Sequence, residues 1–122
     1  MSYEKDLEQL DKIVTDCIFR LREAKEKFRK ERKRKIVNCL SFLAAELADS
    51  WRPFYFYCKY YEEEKPKPEQ ILECYGGFYT SLVHFLFNFA DIETDYAHYF
   101  YDNTRKLATK IVLEILPCLP KP

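Results

Sequence analysis

Residues 3–28 read YEKDLEQLDKIVTDCIFRLREAKEKF, and their pattern sets the architecture predicted for the whole chain. Apolar residues recur at alternating steps of four and three, the pattern of a helix packed along a narrow seam. They are Tyr3, Leu7, Leu10, Val14, Cys17, Leu21, Ala24 and Phe28. Ile13 and Ile18 widen the seam, as expected for a helix in a bundle. Ser2 is the predicted cap of this helix.

The next apolar segment begins at Ile36, one step out of phase with the first helix. This favours a bend or short turn between Phe28 and Ile36. Residues 36–48 are almost entirely apolar, which predicts a second helix that is covered nearly all round.

Pro53 is predicted to separate that helix from a third one. Proline suits the first turn of a helix, with Asp49 or Ser50 as the cap. The body of the third helix is then residues 54–61. A buried strand is the alternative, because this short run is rich in aromatic residues.

The clearest boundary in the chain is the connector at residues 62–68, which reads EEEKPKP. A helix is predicted from Glu69 towards Ala90, opened by Pro68. Gly76-Gly77 in its middle suggests a kink or the close approach of a neighbouring helix.

The last predicted helix begins near residues 91–95, with Thr94 as its cap, and extends to Leu116. Pro117 stops it, because proline does not continue a helix.

The composition supports an all-α fold. The chain has 122 residues, 48% of them hydrophobic, so it can bury enough surface to fold as one domain over residues 1–122. It has 2 glycines, whereas sandwiches and barrels depend on many glycine-containing turns. We therefore predict an antiparallel four- to five-helix bundle with a long amphipathic first helix.

The N-terminus and the cysteines indicate a reducing compartment. Residues 1–6 are acidic and polar, unlike a secretory signal or a transit peptide. The cysteines are Cys17, Cys39, Cys58, Cys74 and Cys118. They are odd in number, widely spaced and without a C-x-x-C pair, which is typical of buried thiols. We expect an intracellular protein, cytoplasmic or nuclear.

Metal, cofactor and membrane binding have little support. One conceivable zinc site uses two thiolates and two imidazoles, but the spacing matches no compact zinc motif. Its ligands would be Cys58, Cys74, His84 and His98. Asp95 lies one turn before His98, without the further Glu-x-x-His motifs of a di-metal bundle. The longest uncharged stretch, residues 74–90, is shorter than the about 20 residues of a membrane span.

A strongly basic segment at residues 25–35 is hidden by a formal net charge of +0 for the whole chain. Eight cations stand there against Glu26 and Glu31, a local net charge of +6. The segment is typical of a surface for RNA, DNA or an acidic partner. Alternatively, the cations stabilise the C-terminal end of the first helix through its macrodipole. The candidate nucleic-acid-binding residues are Lys27, Arg29, Lys30, Arg32, Lys33, Arg34 and Lys35.

Aromatic residues crowd positions 51–61. They are Trp51, Phe54, Tyr55, Phe56, Tyr57, Tyr60 and Tyr61. Consecutive positions cannot all face one side of a helix, so some are expected at the surface or under another chain. Aromatic residues are enriched in protein interfaces. Some of these residues are therefore predicted to contact a protein partner. The alternatives are that they fill the core or that they stack on the bases of a nucleic acid.

No catalytic signature is present. The chain lacks a nucleophile elbow, a phosphate-binding glycine loop and an HExxH motif. His98 and Arg105 match the pair expected in a helical ribonuclease poorly. We predict that the protein is not an enzyme and takes no small-molecule substrate.

The leading functional prediction is an oligomeric assembly, adaptor or scaffold subunit that contacts a protein partner or itself. The predicted interface residues are Leu7, Leu10, Val14, Leu21, Trp51, Phe54, Tyr57 and Tyr61. The alternative function is binding of the RNA or DNA backbone through residues 25–35.

Overall fold

The structure, a computed structural model, describes residues 3–118, and in this range the chain forms helices and no strands. The elements are α1 (Glu4–Lys30), α2 (Arg34–Lys59), the short α3 (Tyr61–Glu64), α4 (Pro68–Phe89), α5 (Thr94–Ile115) and a 3-10 turn at Leu116–Cys118. The predicted all-α bundle is confirmed. Ser2, the predicted cap of α1, lies outside the described residues, as does the side chain of Cys118.

The four long helices run up, down, up and down. α1 packs against α2 and α5, and α4 packs against the same two helices, so every long helix has two antiparallel neighbours. Short connections at residues 31–33 and 90–93 impose this arrangement, because they leave a helix no room except beside its predecessor.

The core is built from the predicted seam of α1 and from phenylalanines of the other helices. The fully buried aromatic side chains are Phe54, Phe78, Phe85, Phe89 and Phe100. Phe54 stacks on Phe78 with ring centroids 5.8 Å apart, and Phe85 meets Phe100 edge-on at 4.8 Å. Since burying one such side chain contributes about 1.5–3 kcal/mol, these rings hold α2, α4 and α5 together.

The predicted bend between α1 and α2 is a turn of three residues, 31–33. The N–H of Lys33 donates to the carbonyl oxygen of Phe28 at 3.0 Å. Arg32 takes the left-handed conformation with a φ of 59°. The basic segment therefore spans a helix end, a turn and a helix start.

The predicted break at Pro53 is wrong, because α2 is one helix through this residue. Trp51 and Phe54, on either side of it, are buried in the core. Their burial outweighs a penalty of about 3 kcal/mol for proline in a helix interior. The segment after Pro53 is helical, as predicted, and the alternative strand does not form.

Two other expectations for α2 also fail. Ser50 is no cap, since its hydroxyl donates to the Leu47 carbonyl within the helix at 3.3 Å, and Asp49 is likewise internal to the helix. The helix is not covered all round, because Phe42 is 59% exposed. Its outer face remains uncovered, since the helices that mainly pack against α2 are α1, α4 and the short α3.

α4 begins at Pro68, as predicted, and the Lys67 N–H donates to the Gln70 side chain at 2.8 Å. The predicted approach of a neighbouring helix at Gly76 and Gly77 is wrong within this chain. Both glycines are exposed, and a Cβ built on either would meet nothing within 4 Å.

α5 begins at Thr94, so this residue lies inside the helix and not at its cap. The Thr94 hydroxyl donates to the Ala90 carbonyl at 2.6 Å, and Glu93 holds the cap position without a side-chain hydrogen bond to the first turn of α5. The helix ends at Ile115, two residues before Pro117.

Candidate functional site

The residues predicted to form an interface lie in the core of the bundle. Six are buried: Leu7, Leu10, Val14, Leu21, Trp51 and Phe54. Tyr57 and Tyr61 are half-buried and pack against the same core. The six buried side chains are already covered by the other helices of this chain and offer no surface to another molecule in this structure, whereas Tyr57 and Tyr61 stay partly exposed.

The aromatic run of α2 divides between the core, the α1–α2 contact and the surface. Trp51 Nε1 donates to the Asp11 carboxylate at 2.8 Å, and the Tyr55 hydroxyl donates to Glu8 at 3.2 Å. Phe56 is 42% exposed. An interaction surface thus has to include side chains other than the buried ones.

Four large exposed hydrophobic side chains lie on one side of the bundle, on α2, on the residue that caps its C-terminus and on α4. They are Phe42, Phe56, Tyr60 and Phe87. The first three share one side of α2, since fourteen and four residues separate them. Phe87 is 73% exposed and lies roughly 80° around α4 from Gly77, which lines a cavity together with Pro53 of α2. We call this surface the α2–α4 face.

Contacts between the two helices fix their register. The Trp51 and Phe78 rings lie 5.0 Å apart, and the Ser81 hydroxyl donates to the Glu46 carbonyl at 3.4 Å. This antiparallel register brings Phe42 level with Phe87 at the end of the face that carries the basic segment.

A notch interrupts the α2–α4 face at Pro53 and Gly77. Both residues line a cavity of about 410 Å³, with Ser50, Tyr57, Gln70, Glu73 and Cys74. A second cavity of about 420 Å³ shares Pro53 and Tyr57 with it. Relative to alanine, glycine costs a helix about 1 kcal/mol and proline about 3 kcal/mol. Two unfavourable residues therefore shape this exposed surface, and core packing does not require them.

Sequence reasoning missed a pair on the same face, Glu46 and His84. His84 Nδ1 lies 2.6 Å from Glu46 Oε1 and links α2 to α4. Among residues 3–118, the other oxygen of Glu46 is buried without a hydrogen-bond partner. No local signal announces this pair, because 38 residues separate its members and only the helix register joins them.

The basic segment occupies one end of the bundle. Lys27, Arg29 and Lys30 lie in the last turn of α1. Arg34 and Lys35 open α2, whose first turn holds no acidic residue. A helix dipole favours cations at its C-terminus and disfavours them at its N-terminus. Stabilisation by the macrodipole therefore explains the first group and not the second.

Cations of this segment line a surface cavity of about 350 Å³, which we call the basic cavity. Its lining residues are Arg29, Arg32, Lys33, Arg34 and Val37. Within residues 3–118, Arg29 is the one cation of segment 25–35 with a carboxylate within 4 Å, namely Glu26 at 3.4 Å. The cavity thus presents several cations to solvent, which suits an anionic ligand.

The conceivable zinc ligands do not come together. Over the described range, no three His, Cys, Asp or Glu side chains form a group that fits a metal ion. Cys58 lies in the core, and His84 pairs with Glu46. Burial raises the pKa of Cys17 and of Cys58 to about 12, so both thiols are protonated at neutral pH and are poor nucleophiles.

None of the described helices combines the length and apolar character needed to cross a membrane. The chain matches no protein-family model, and neither a curated protein nor a solved structure matches it. Its function has to be inferred from the α2–α4 face and the basic cavity.

Proposed function

We propose that this protein is a non-catalytic assembly subunit that pairs with a second copy of itself through the α2–α4 face. The observation that carries the proposal is the presence, on one face, of an exposed protrusion, Phe87, and a notch, Pro53–Gly77. A surface that holds both elements is able to complement itself across a two-fold axis.

The spacing along α4 suits such an arrangement. Phe87 lies ten residues beyond Gly77, about 15 Å along the helix axis. A two-fold axis near residue 82 brings Phe87 of each copy over the notch of the other. Gly77 supports this approach, because it offers no side chain to block a phenyl ring.

The charges along the face favour the same antiparallel orientation. Lys35 precedes Phe42 by seven residues and lies at the basic end of the face, whereas Glu69 and Glu73 lie at the other end of α4. Antiparallel pairing places the Lys35 end of each copy at the Glu69–Glu73 end of the other, about one helix spacing away, whereas parallel pairing keeps like charges at the same end. Between these ends, residues 74–89 of α4 contain no Asp, Glu, Lys or Arg, and the Glu46 carboxylate of α2 is already paired with His84.

The exposed aromatic side chains of the face supply about half of the area of a standard interface. Phe42 and Phe87 are 59% and 73% exposed, and Phe56 and Tyr60 are 42% and 41% exposed. With roughly 200 Å² for each aromatic side chain, they supply roughly 400 Å² per copy. That is half of the roughly 800 Å² that each partner buries in a standard interface.

Sedimentation equilibrium of single variants tests this proposal. We expect the natural protein to form dimers at micromolar concentration. Phe87→Glu should weaken pairing at least tenfold, about 1.4 kcal/mol, because it places a charge in the contact. Phe19→Glu is the matched control, since Phe19 is 62% exposed on α1 and outside the face.

Gly77→Leu separates pairing from folding. Its Cβ meets nothing within the chain, and replacing glycine raises helix propensity by about 1 kcal/mol, so the subunit should become more stable. The same side chain fills the notch, so dimers should dissociate. A natural protein that stays monomeric at high micromolar concentration, or variants that pair as well as Phe19→Glu, would contradict the proposal.

A further inference from the structure

The basic cavity has the chemistry of a phosphate site and does not depend on the proposed pairing. We propose that it binds the phosphate backbone of a nucleic acid without reading the base sequence. Three of its lining residues are arginines, Arg29, Arg32 and Arg34. A guanidinium donates two parallel hydrogen bonds to a phosphate, so converging arginines suit this ligand.

The cavity is not already neutralised by the protein. Glu26 reaches Arg29 at 3.4 Å, a long contact between exposed groups. The remaining lining residue besides the cations is Val37, so no carboxylate lines the cavity. An incoming phosphate therefore meets little internal competition.

Stabilisation of the fold does not explain why these cations lie where they do. Arg34 lies in the first turn of α2, where the helix dipole opposes a positive charge. Arg32 and Lys33 occupy the turn itself. Mutual repulsion among cations so close together further opposes the arrangement. A ligand that carries several negative charges removes both penalties.

The basic segment itself favours a nucleic acid over a membrane or an acidic protein, since the exposed Phe42 and Phe87 near this end lie on the α2–α4 face and outside the cavity lining. Phe28 is the aromatic side chain of segment 25–35, and it packs against the core instead of projecting outwards. Lys27 and Lys33 lie over its ring at 5.7 and 5.5 Å. Membrane-surface binding needs exposed apolar side chains for insertion, and protein hot spots need apolar anchors. A run of cations without such anchors matches a repeating phosphate chain.

Binding should be local and steeply dependent on salt. The formal net charge of the chain is +0, so attraction has to come from the basic end. If four cations each neutralise one phosphate, the logarithm of the association constant falls by about 3 per decade of salt for a single strand and by about 4 for a duplex.

Fluorescence anisotropy with the full chain tests the site, using a labelled thymidine oligonucleotide and a labelled duplex. One variant carries Arg29→Gln, Arg32→Gln, Lys33→Gln and Arg34→Gln. The control carries the same charge change at exposed positions elsewhere: Lys5→Gln, Lys12→Gln, Arg22→Gln and Lys106→Gln. Circular dichroism verifies that both variants fold.

We expect the natural protein to bind one or both probes with a dissociation constant of about 10⁻⁴–10⁻⁶ M, which is the range of non-specific nucleic-acid binding. The cavity variant should bind at least tenfold more weakly, and its salt slope should fall by about 3. The control variant should keep both the affinity and the salt slope of the natural protein. Equal weakening of the two variants, or no binding at low salt, would overturn the proposal. So would tighter binding to phosphatidylserine vesicles or polyglutamate than to either oligonucleotide.

Discussion

Neutralising two cations at the start of α2 should stabilise the protein, whereas neutralising two at the end of α1 should destabilise it. The first pair is Arg34→Gln with Lys35→Gln, and the second is Lys27→Gln with Lys30→Gln. All four residues belong to one basic segment, but they lie at opposite poles of two helix dipoles. Glutamine has a helix propensity close to those of lysine and arginine, so the comparison isolates charge.

The magnitude follows from the position of each charge. One charge near a helix end contributes about 0.3–1 kcal/mol, with a sign that depends on the end. The two pairs should therefore differ in unfolding free energy by roughly 1–4 kcal/mol. Because the C-terminus of α1 lies beside the N-terminus of α2, the opposing dipoles lower both effects. We expect a difference near 1 kcal/mol, about 4 °C in Tm.

The difference between pairs is the quantity to measure. Each pair removes two positive charges from the same cluster, so relief of repulsion largely cancels in the comparison. Urea unfolding followed by circular dichroism gives both free energies at low salt and at about 1 M salt, where the Debye length is about 3 Å and the difference should shrink. If Arg34 and Lys35 prove as stabilising as Lys27 and Lys30, the dipole argument fails.

Two further predictions concern the core. The Thr104 hydroxyl is buried without a partner among the described residues. Thr104→Val should therefore raise the free energy of unfolding by about 1–2 kcal/mol. Thr109→Val on the same helix is the control and should lower the free energy of unfolding by about 1 kcal/mol, because Tyr75 loses a hydrogen bond of 2.8 Å. Equal shifts in urea unfolding would refute this account. The raised pKa values of Cys17 and Cys58, about 12 against 9.0, make the folded state stable up to about pH 9 and less stable as the pH rises towards 12. Each thiol should contribute a slope of about 1.4 kcal/mol per pH unit. Replacing both cysteines by alanine should reduce that slope when the free energy of unfolding is measured from about pH 9 to about pH 10.5. An unchanged slope would show that other groups cause the loss of stability at high pH.

Local features of the chain were predictable because local rules govern them. The seam of α1 follows from helix periodicity, and the turn before α2 follows from the change of phase near Phe28. Pro68 opens α4 because its missing N–H has no partner there in any case. The predicted cap at Thr94 is one position too late, because several adjacent polar residues can satisfy the geometry of a cap and the structure has Glu93 there.

At Pro53, the burial of neighbouring side chains outweighs the local preference of proline. Its ring disfavours a helix interior, but the burial of Trp51 and Phe54 holds α2 in one piece. The sequence also placed cations in one segment without showing that they would converge. Arg29 and Arg34 line one cavity because the turn at residues 31–33 folds α2 back on α1.

Periodicity and charge are properties of neighbouring residues, so the order of amino acids is enough to predict that the chain is helical, where its long apolar seams lie and which segment is basic. Which molecule covers the seams was decided by tertiary structure. Leu10 and Trp51 are covered by this chain, whereas Phe42 and Phe87 are left outside. A periodic pattern records only that a helix has an apolar side. Whether that side is buried depends on how the four long helices pack around their common core.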